Sequence, residues 1–282
     1  MPPRSTSRGV SRRDLLKGAA AACIGAATGA LAQGYVYGRH RLELTRETLH
    51  VSGLPSALAG LRIGLITDLH RSDTVPQELL IRAVQMMMTE APDLVVLGGD
   101  YVTWGNRHFV VPAAEALAPL SAPHGVFAVL GNHDDDRDMP AALTGAGIVV
   151  LRDARTRLSI RGETLDLAGI RYWTRRVGDI AHVLRGASPN LILLAHNPMR
   201  LVEASALAVP LVLSGHTHGG QLVLPGIGAV AARKFPVIAG RGRRDATEIF
   251  VSRGIGTVYV PVRLNCPPEV AVLTLKPVLP DV

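Results

Sequence analysis

Cysteine is nearly absent: 282 residues carry two, Cys23 and Cys266. Cys23 follows four alanines in an apolar N-terminal stretch, which leaves Cys266 alone in the rest of the chain. A disulfide framework and a thiolate zinc cluster are both excluded. Aromatic residues make up only 4%, too few for a base-stacking platform, and nothing resembles a nucleic-acid fold, so no nucleic-acid partner is expected. Neither a fixed repeat nor a low-complexity linker divides residues 40 to 282, which read as one domain.

Charge is present but unevenly placed. The formal net charge is +7. Residues 1 to 32 hold five basic residues, including Arg12, Arg13 and Lys17, against Asp14 alone, so the remainder falls to +3. In SRRDLLKG (11 to 18) paired arginines precede an Ala/Gly-rich run of about 15 residues that ends at Ala30-Leu31-Ala32, small residues at signal-peptidase spacing. The run is short and weakly apolar for a spanning helix. Residues 1 to 32 therefore read as a twin-arginine-type signal peptide delivered to the Tat export machinery, either cleaved or kept as an anchor. Residues 33 to 59 follow as a connecting segment and first strand. The expected location is the periplasm or the outer face of the cytoplasmic membrane, with peripheral membrane contact.

What the chain does have is a recurring pattern. Short runs rich in Val, Ile and Leu stop abruptly at polar residues: LRIGLIT at Asp68 and His70, DLVVLGG at Asp100, and GVFAVLG at Asn132 and His133. Later, NLILLA stops at His196 and PLVLSG at His216 and His218. Such runs suit strands buried on both faces. The intervening stretches 75–91 and 112–120 have helical spacing, so the first half reads as βαβ units. Ligands of such sheets collect beyond the carboxyl ends of the strands, which places all five clusters around one crevice. Five of the chain's ten histidines fall in them. Met86, Met87 and Met88 read as core filling.

Taken in order, DLH, GGD, GNHD, AHNP and GHTH resemble the calcineurin-like metallophosphoesterase superfamily, and the tail 252 to 275 resembles its bacterial exported YkuE/YaeI-like branch. The resemblance covers roughly residues 60 to 275, within a domain set at 60 to 282. It implies an α/β fold, a two-sheet sandwich flanked by helices in four layers, αββα. It implies two divalent ions, of Mn, Fe, Zn or Co. Asp68, His70 and His218 would hold one, Asn132, His196 and His216 the other, and Asp100 would bridge them. Carboxylate, imidazole and amide donors suit such ions. A metal-activated hydroxide would attack phosphorus, with His133 as the catalytic donor or charge-stabilising group. In GHTHGGQ, residues two apart on an extended segment would point His216 at one ion and His218 at the other. Gly215, Gly219 and Gly220 would let the backbone turn.

Departures narrow the function. The second motif reads GDYVTWG, with Thr103 and Trp104 where the protein phosphatases of the superfamily carry Asp and Arg. Thr103, and the presence of His70, also depart from purple acid phosphatases. Asp134 would either orient His133 or join Asp135 and Asp136 in capping a helix near Met139. Gln221, Arg253 and Arg263 are candidates for phosphate binding or support of the ligands. Arg233, Lys234, Arg241, Arg243 and Arg244 form either a solvated loop or an anion-binding one. The expected activity is exported hydrolysis of a phosphodiester or pyrophosphate, lipid-linked or envelope-derived. The alternatives are a UDP-2,3-diacylglucosamine pyrophosphatase of lipid A synthesis, disfavoured by the export signal, and a non-catalytic metal-binding envelope protein.

Overall fold

The computed structural model describes residues 11–229 and 231–278. Residues 1–10 of the proposed signal lie outside them. In chain order the elements are α1 (Arg12–Val36), β1 (Glu43–Val51), β2 (Arg62–Ile66), α2 (Gln77–Thr89), β3 (Leu94–Leu97), α3 (Val110–Leu117), β4 (Val126–Ala128), α4 (Asp138–Gly145) and β5 (Val149–Val150). The second half holds β6 (Ala154–Ile160), β7 (Glu163–Gly169), α5 (Val177–Val183), β8 (Leu191–Leu194), α6 (Leu201–Ala206), β9 (Leu211–Ser214), β10 (Val223–Leu224), β11 (Gly228–Ala229), β12 (Gly240–Arg244), β13 (Thr247–Val251) and β14 (Glu269–Pro277). Two six-stranded sheets form, ordered β1-β14-β2-β3-β4-β5 and β12-β13-β9-β8-β7-β6, and β10 and β11 make a separate hairpin.

The unbroken apolar runs are explained by two-sided burial. On β2, Ile63 and Leu65 face the opposite sheet, while Gly64 meets Met87 and Ile66 joins the helix-side core. The inter-sheet core adds Leu94, Val96 and Leu273 from one sheet and Leu167, Ile192, Leu213 and Phe250 from the other. Helices α2, α3 and α4 cover the outer face of the first sheet, and α5 and α6 that of the second. The result is the expected α/β/β/α sandwich. β2, β3 and β4 are mutually parallel, as are β8 and β9, so their carboxyl ends converge.

α1 differs from the expectation. The helix continues past Ala32 to Val36, because Gln33 to Val36 keep forming helix, and Arg12–His40 is long and apolar enough to cross a membrane. Twenty-five residues at about 1.5 Å each exceed the roughly 30 Å of a bilayer's hydrocarbon core. Its end is tied down: Arg263 N–H donates to Gly34 O at 3.2 Å, and a Cβ on Gly34 or Gly38 would collide with the backbone of Arg263.

Leu273→Ala should cost about 2–5 kcal/mol, since the side chain is wholly enclosed between the sheets. Urea denaturation followed by far-UV circular dichroism measures it; a cost below about 1 kcal/mol would mean the sheets are not packed this way.

Candidate metal centre

Backbone turns aim the residues beyond the strands. Loops 67–71 and 99–101 run alongside each other: Asp68 N–H donates to Gly99 O (2.8 Å), His70 N–H to Asp100 O (2.9 Å) and Arg71 N–H to Tyr101 O (2.9 Å). Asp68, His70 and Asp100 take left-handed φ values of 53°, 47° and 57°. Such a conformation costs a non-glycine residue roughly 1–2 kcal/mol, and it persists where the surroundings enforce it.

GHTHGGQ corrects the extended-segment expectation. His216 and His218 are left-handed (φ 73° and 52°), Thr217 between them is right-handed, and His218–Gly220 forms a 3-10 turn. The two imidazoles still part to different clusters, through alternating turns instead of strand pleating. Gly215 is required by close approach, for a Cβ there would collide with Thr67 and Asp68.

Two clusters result. Asp68, His70 and His218 bring ligand atoms within 4.8 Å of one another, and so do Asp100, His196 and His216. Asp100 Oδ2 stands between them, 3.4 Å from His70 Nε2 and 3.1 Å from His196 Nε2. His218 Nε2 faces His70 Nε2 at 3.0 Å, and His216 Nδ1 faces His196 Nε2 at 3.2 Å. Lone pairs that close repel unless a proton or cation lies between them, and about 3 Å matches neighbouring donors on one ion with bonds of about 2.1 Å. Asn132 Oδ1 is buried without a hydrogen-bond partner and lines the crevice beside Asp100. An orphaned carbonyl costs about 1–3 kcal/mol, which a cation would relieve. These residues fit two hard or borderline cations. The ligand rings are also oriented from behind: His196 Nδ1 donates to Gly98 O at 2.7 Å, and His70 Nδ1 lies 3.2 Å from Thr103 Oγ1.

Electrostatics follow from burial. Burial alone would lower His196, but the Asp100 and Asp68 carboxylates hold it up at about 10. Asp100, which burial would raise, is drawn well below its usual range by His196. Burial pushes His70 and His216 down to about 3 and lifts Asp68 to about 6.

His133 lines the crevice, and its Nδ1 accepts from Trp104 N–H at 3.2 Å. The neutral ring therefore carries its proton on Nε2. Burial lowers its pKa. Asp134 performs neither expected task. Its oxygens accept from Asp100, Gly131 and Tyr101 N–H at 2.7–2.8 Å, with Val102 N–H at 3.4 Å, tying the loop after β3 to the loop after β4. Capping falls to Asp135, whose Oδ1 accepts from Arg137 and Asp138 N–H.

The remaining candidates separate. Gln221 lines the crevice but spends its amide on Val258 and Val260, fixing that loop. Arg263 is enclosed and donates to the carbonyls of Arg253, Gly254, Gly256 and Cys266. Arg253 pairs with Glu269 and Glu43. Neither arginine lines the crevice, but Arg263 supports a ligand from behind, its Nη2 3.4 Å from His218 Nδ1. Of the basic loop only Lys234 lines it; Arg241 and Arg243 pair with Glu248, Arg244 lies by Asp245, and Arg233 donates to Ile227 O. Tyr172, whose ring centroid is 5.4 Å from that of His216, was absent from the sequence expectations. The strand-end pattern would have found it, since IRYW directly follows β7.

Comparison with known proteins decides the family. Residues 61–220 match the calcineurin-like phosphoesterase family. The chain belongs to that family. Over 286 residues it is 33% identical to the metallophosphoesterase YkuE of Bacillus subtilis, covering 95% of this chain and 98% of YkuE. It is 32% identical to the phosphodiesterase YaeI of Escherichia coli, covering 84% and 87%. A transmembrane protein with a metallophosphoesterase domain from Danio rerio is 32% identical, covering 80% of this chain and 55% of that one. As a member of this YkuE/YaeI-like branch of the calcineurin-like phosphoesterases, the chain is a metal-dependent phosphoester hydrolase.

With His196 at about 10, the metal-free protein carries a proton there at pH 7.5, and cation binding must displace it. Calorimetric Mn²⁺ titration in buffers of different ionisation enthalpy should show about one proton released on filling the site that contains His196 and almost none on filling the Asp68–His70–His218 site, and affinity at the former should rise with pH up to about 10. Proton-independent binding would contradict the His196–Asp100 pairing.

Proposed function

We propose that the chain is an exported two-metal phosphohydrolase that cleaves a phosphodiester or pyrophosphate bond. The observation that carries this reading is Asp100 Oδ2, which lies between two imidazole-containing clusters at 3.4 and 3.1 Å. Asp68, His70 and His218 would hold one ion, and Asn132, His196 and His216 the other, with Asp100 shared. Two bound divalent ions supply Lewis acidity to phosphoryl oxygens and make water a nucleophile near neutral pH.

The chain's own groups do the rest. The Asn132 carbonyl and the Asp100 carboxylate would serve by holding the ions toward which the scissile phosphate is drawn. With Nδ1 occupied by Trp104 N–H, His133 presents Nε2–H to the crevice as a hydrogen-bond donor for a phosphoryl or leaving-group oxygen. Lys234 adds a cation at the crevice wall. Export is supported by Arg12-Arg13 in the first turn of α1, ahead of its exposed apolar run.

The test uses full-length protein loaded with Mn²⁺ and a chromogenic diester. His133→Ala should lower kcat by about 10²–10⁴. Asp100→Asn should lower activity further and should also weaken uptake of both ions, read by metal analysis after dialysis. Full turnover in His133→Ala, or no turnover with any divalent ion, defeats the reading.

A further inference from the structure

The crevice, about 610 Å³, has two unlike halves. One holds Asp100, Asn132, His133, His216 and His218. The wall beyond is Leu222, Leu224, Ala232, Phe235, Val258 and Val260, with Lys234 as its only cation. Toward solvent this wall runs out over side chains left bare: Leu224 is 38% exposed, Val260 45% and Tyr259 80%. Trp104, 66% exposed, bridges the halves, its ring 4.3 Å from His133 and 5.4 Å from Tyr259. A small anionic ester would leave this surface wet, whereas a bare apolar surface continuous with a polar centre marks a site for a partly apolar ligand.

The wall is built rigidly. Gln221 donates to Val258 O at 3.2 Å and Val260 O at 2.7 Å and accepts from Val258 N–H at 3.0 Å. The same segment carries the base of α1, for Gly34 and Gly38 dock on the backbone of Arg263 and Gly34 packs on Val262. Arg39 extends that anchorage to Thr74 O at 3.0 Å. From Gly18 to Ala32 α1 is almost wholly apolar and exposed, and Tyr35 and Tyr37 stand exposed at its end, the residue type that settles at a bilayer surface.

From this juxtaposition we propose that the substrate is an acylated phosphoester drawn from the bilayer in which α1 is held. Its phosphate enters the cluster half, and its acyl chain lies along Leu224, Phe235 and Val260. This rests on the phosphohydrolase reading and adds the chemical class of its substrate.

The full chain, kept soluble in an amphipathic polymer, is assayed with Mn²⁺ on p-nitrophenyl phosphodiesters bearing methyl, hexyl or dodecyl groups, below their micelle-forming concentrations. Because each buried methylene strengthens binding severalfold, kcat/KM should rise at least tenfold from methyl to dodecyl. Leu224→Asp with Val260→Asp, both at exposed positions, should flatten that ratio toward one, and Val260→Asp alone should reduce it. Binding is read separately from turnover. The chain's two tryptophans both flank the crevice, Trp104 beside His133 and Trp173 beside Tyr172, so bromoalkyl phosphates should quench their fluorescence at concentrations that fall at least tenfold from ethyl to dodecyl. Equal behaviour of short and long chains, or a length dependence unchanged by the double substitution, overturns the proposal. Length-dependent quenching without hydrolysis of any ester would uphold the acyl site and defeat the hydrolase reading alone.

Discussion

Asp100 is a carboxylate kept ionised in a place from which water has been removed, and much of the site serves to make that tolerable. His196 faces one of its oxygens, His133 N–H donates to the other at 2.8 Å, and Asp134 holds its own backbone N–H. An isolated buried anion would cost far more than any one of these contacts returns. The arrangement holds only because three loops, after β3, β4 and β8, are fixed relative to one another by the sandwich beneath. Packing of Val and Leu between the sheets and placement of charge above them are thus one problem.

Much of this was legible in the sequence because its cause is local. A strand buried on both faces needs an unbroken apolar run, and a run that stops at Asp, Asn or His announces where chemistry begins; β2, β3, β4, β8 and β9 all obey. Asp134 was not legible. Its partners, Asp100, Gly131, Tyr101 and Val102, include backbone groups more than thirty residues away, and nothing in DDD distinguishes a carboxylate that knits two loops from one that caps a helix. Arg253 and Arg263 were legible only in part: position near a motif does not reveal whether a guanidinium faces substrate or, like that of Arg263, stands behind a ligand imidazole. The scarcity of aromatics also hid their placement, since Trp104, Tyr172, Phe235 and Tyr259 are scattered in the chain and meet only around the crevice.

The rim and the N-terminal helix bear on the same question from different sides. α1 is long and apolar enough to cross a membrane, as signal sequences also are. Its docking adds direction: Gly34 and Gly38 set the helix end against the segment that follows the crevice wall. Substrate class and tethering are thereby linked through one stretch of backbone, residues 258 to 263.

Five residues of the two clusters, Asp68, His70, Asp100, His216 and His218, sit at left-handed φ, each costing roughly 1 kcal/mol. Together they approach a sizeable fraction of what holds a domain folded. The strain is borne by the hydrogen bonds between the loops and by the sandwich beneath, so a cation that fits the clusters would offset it by binding the folded state alone.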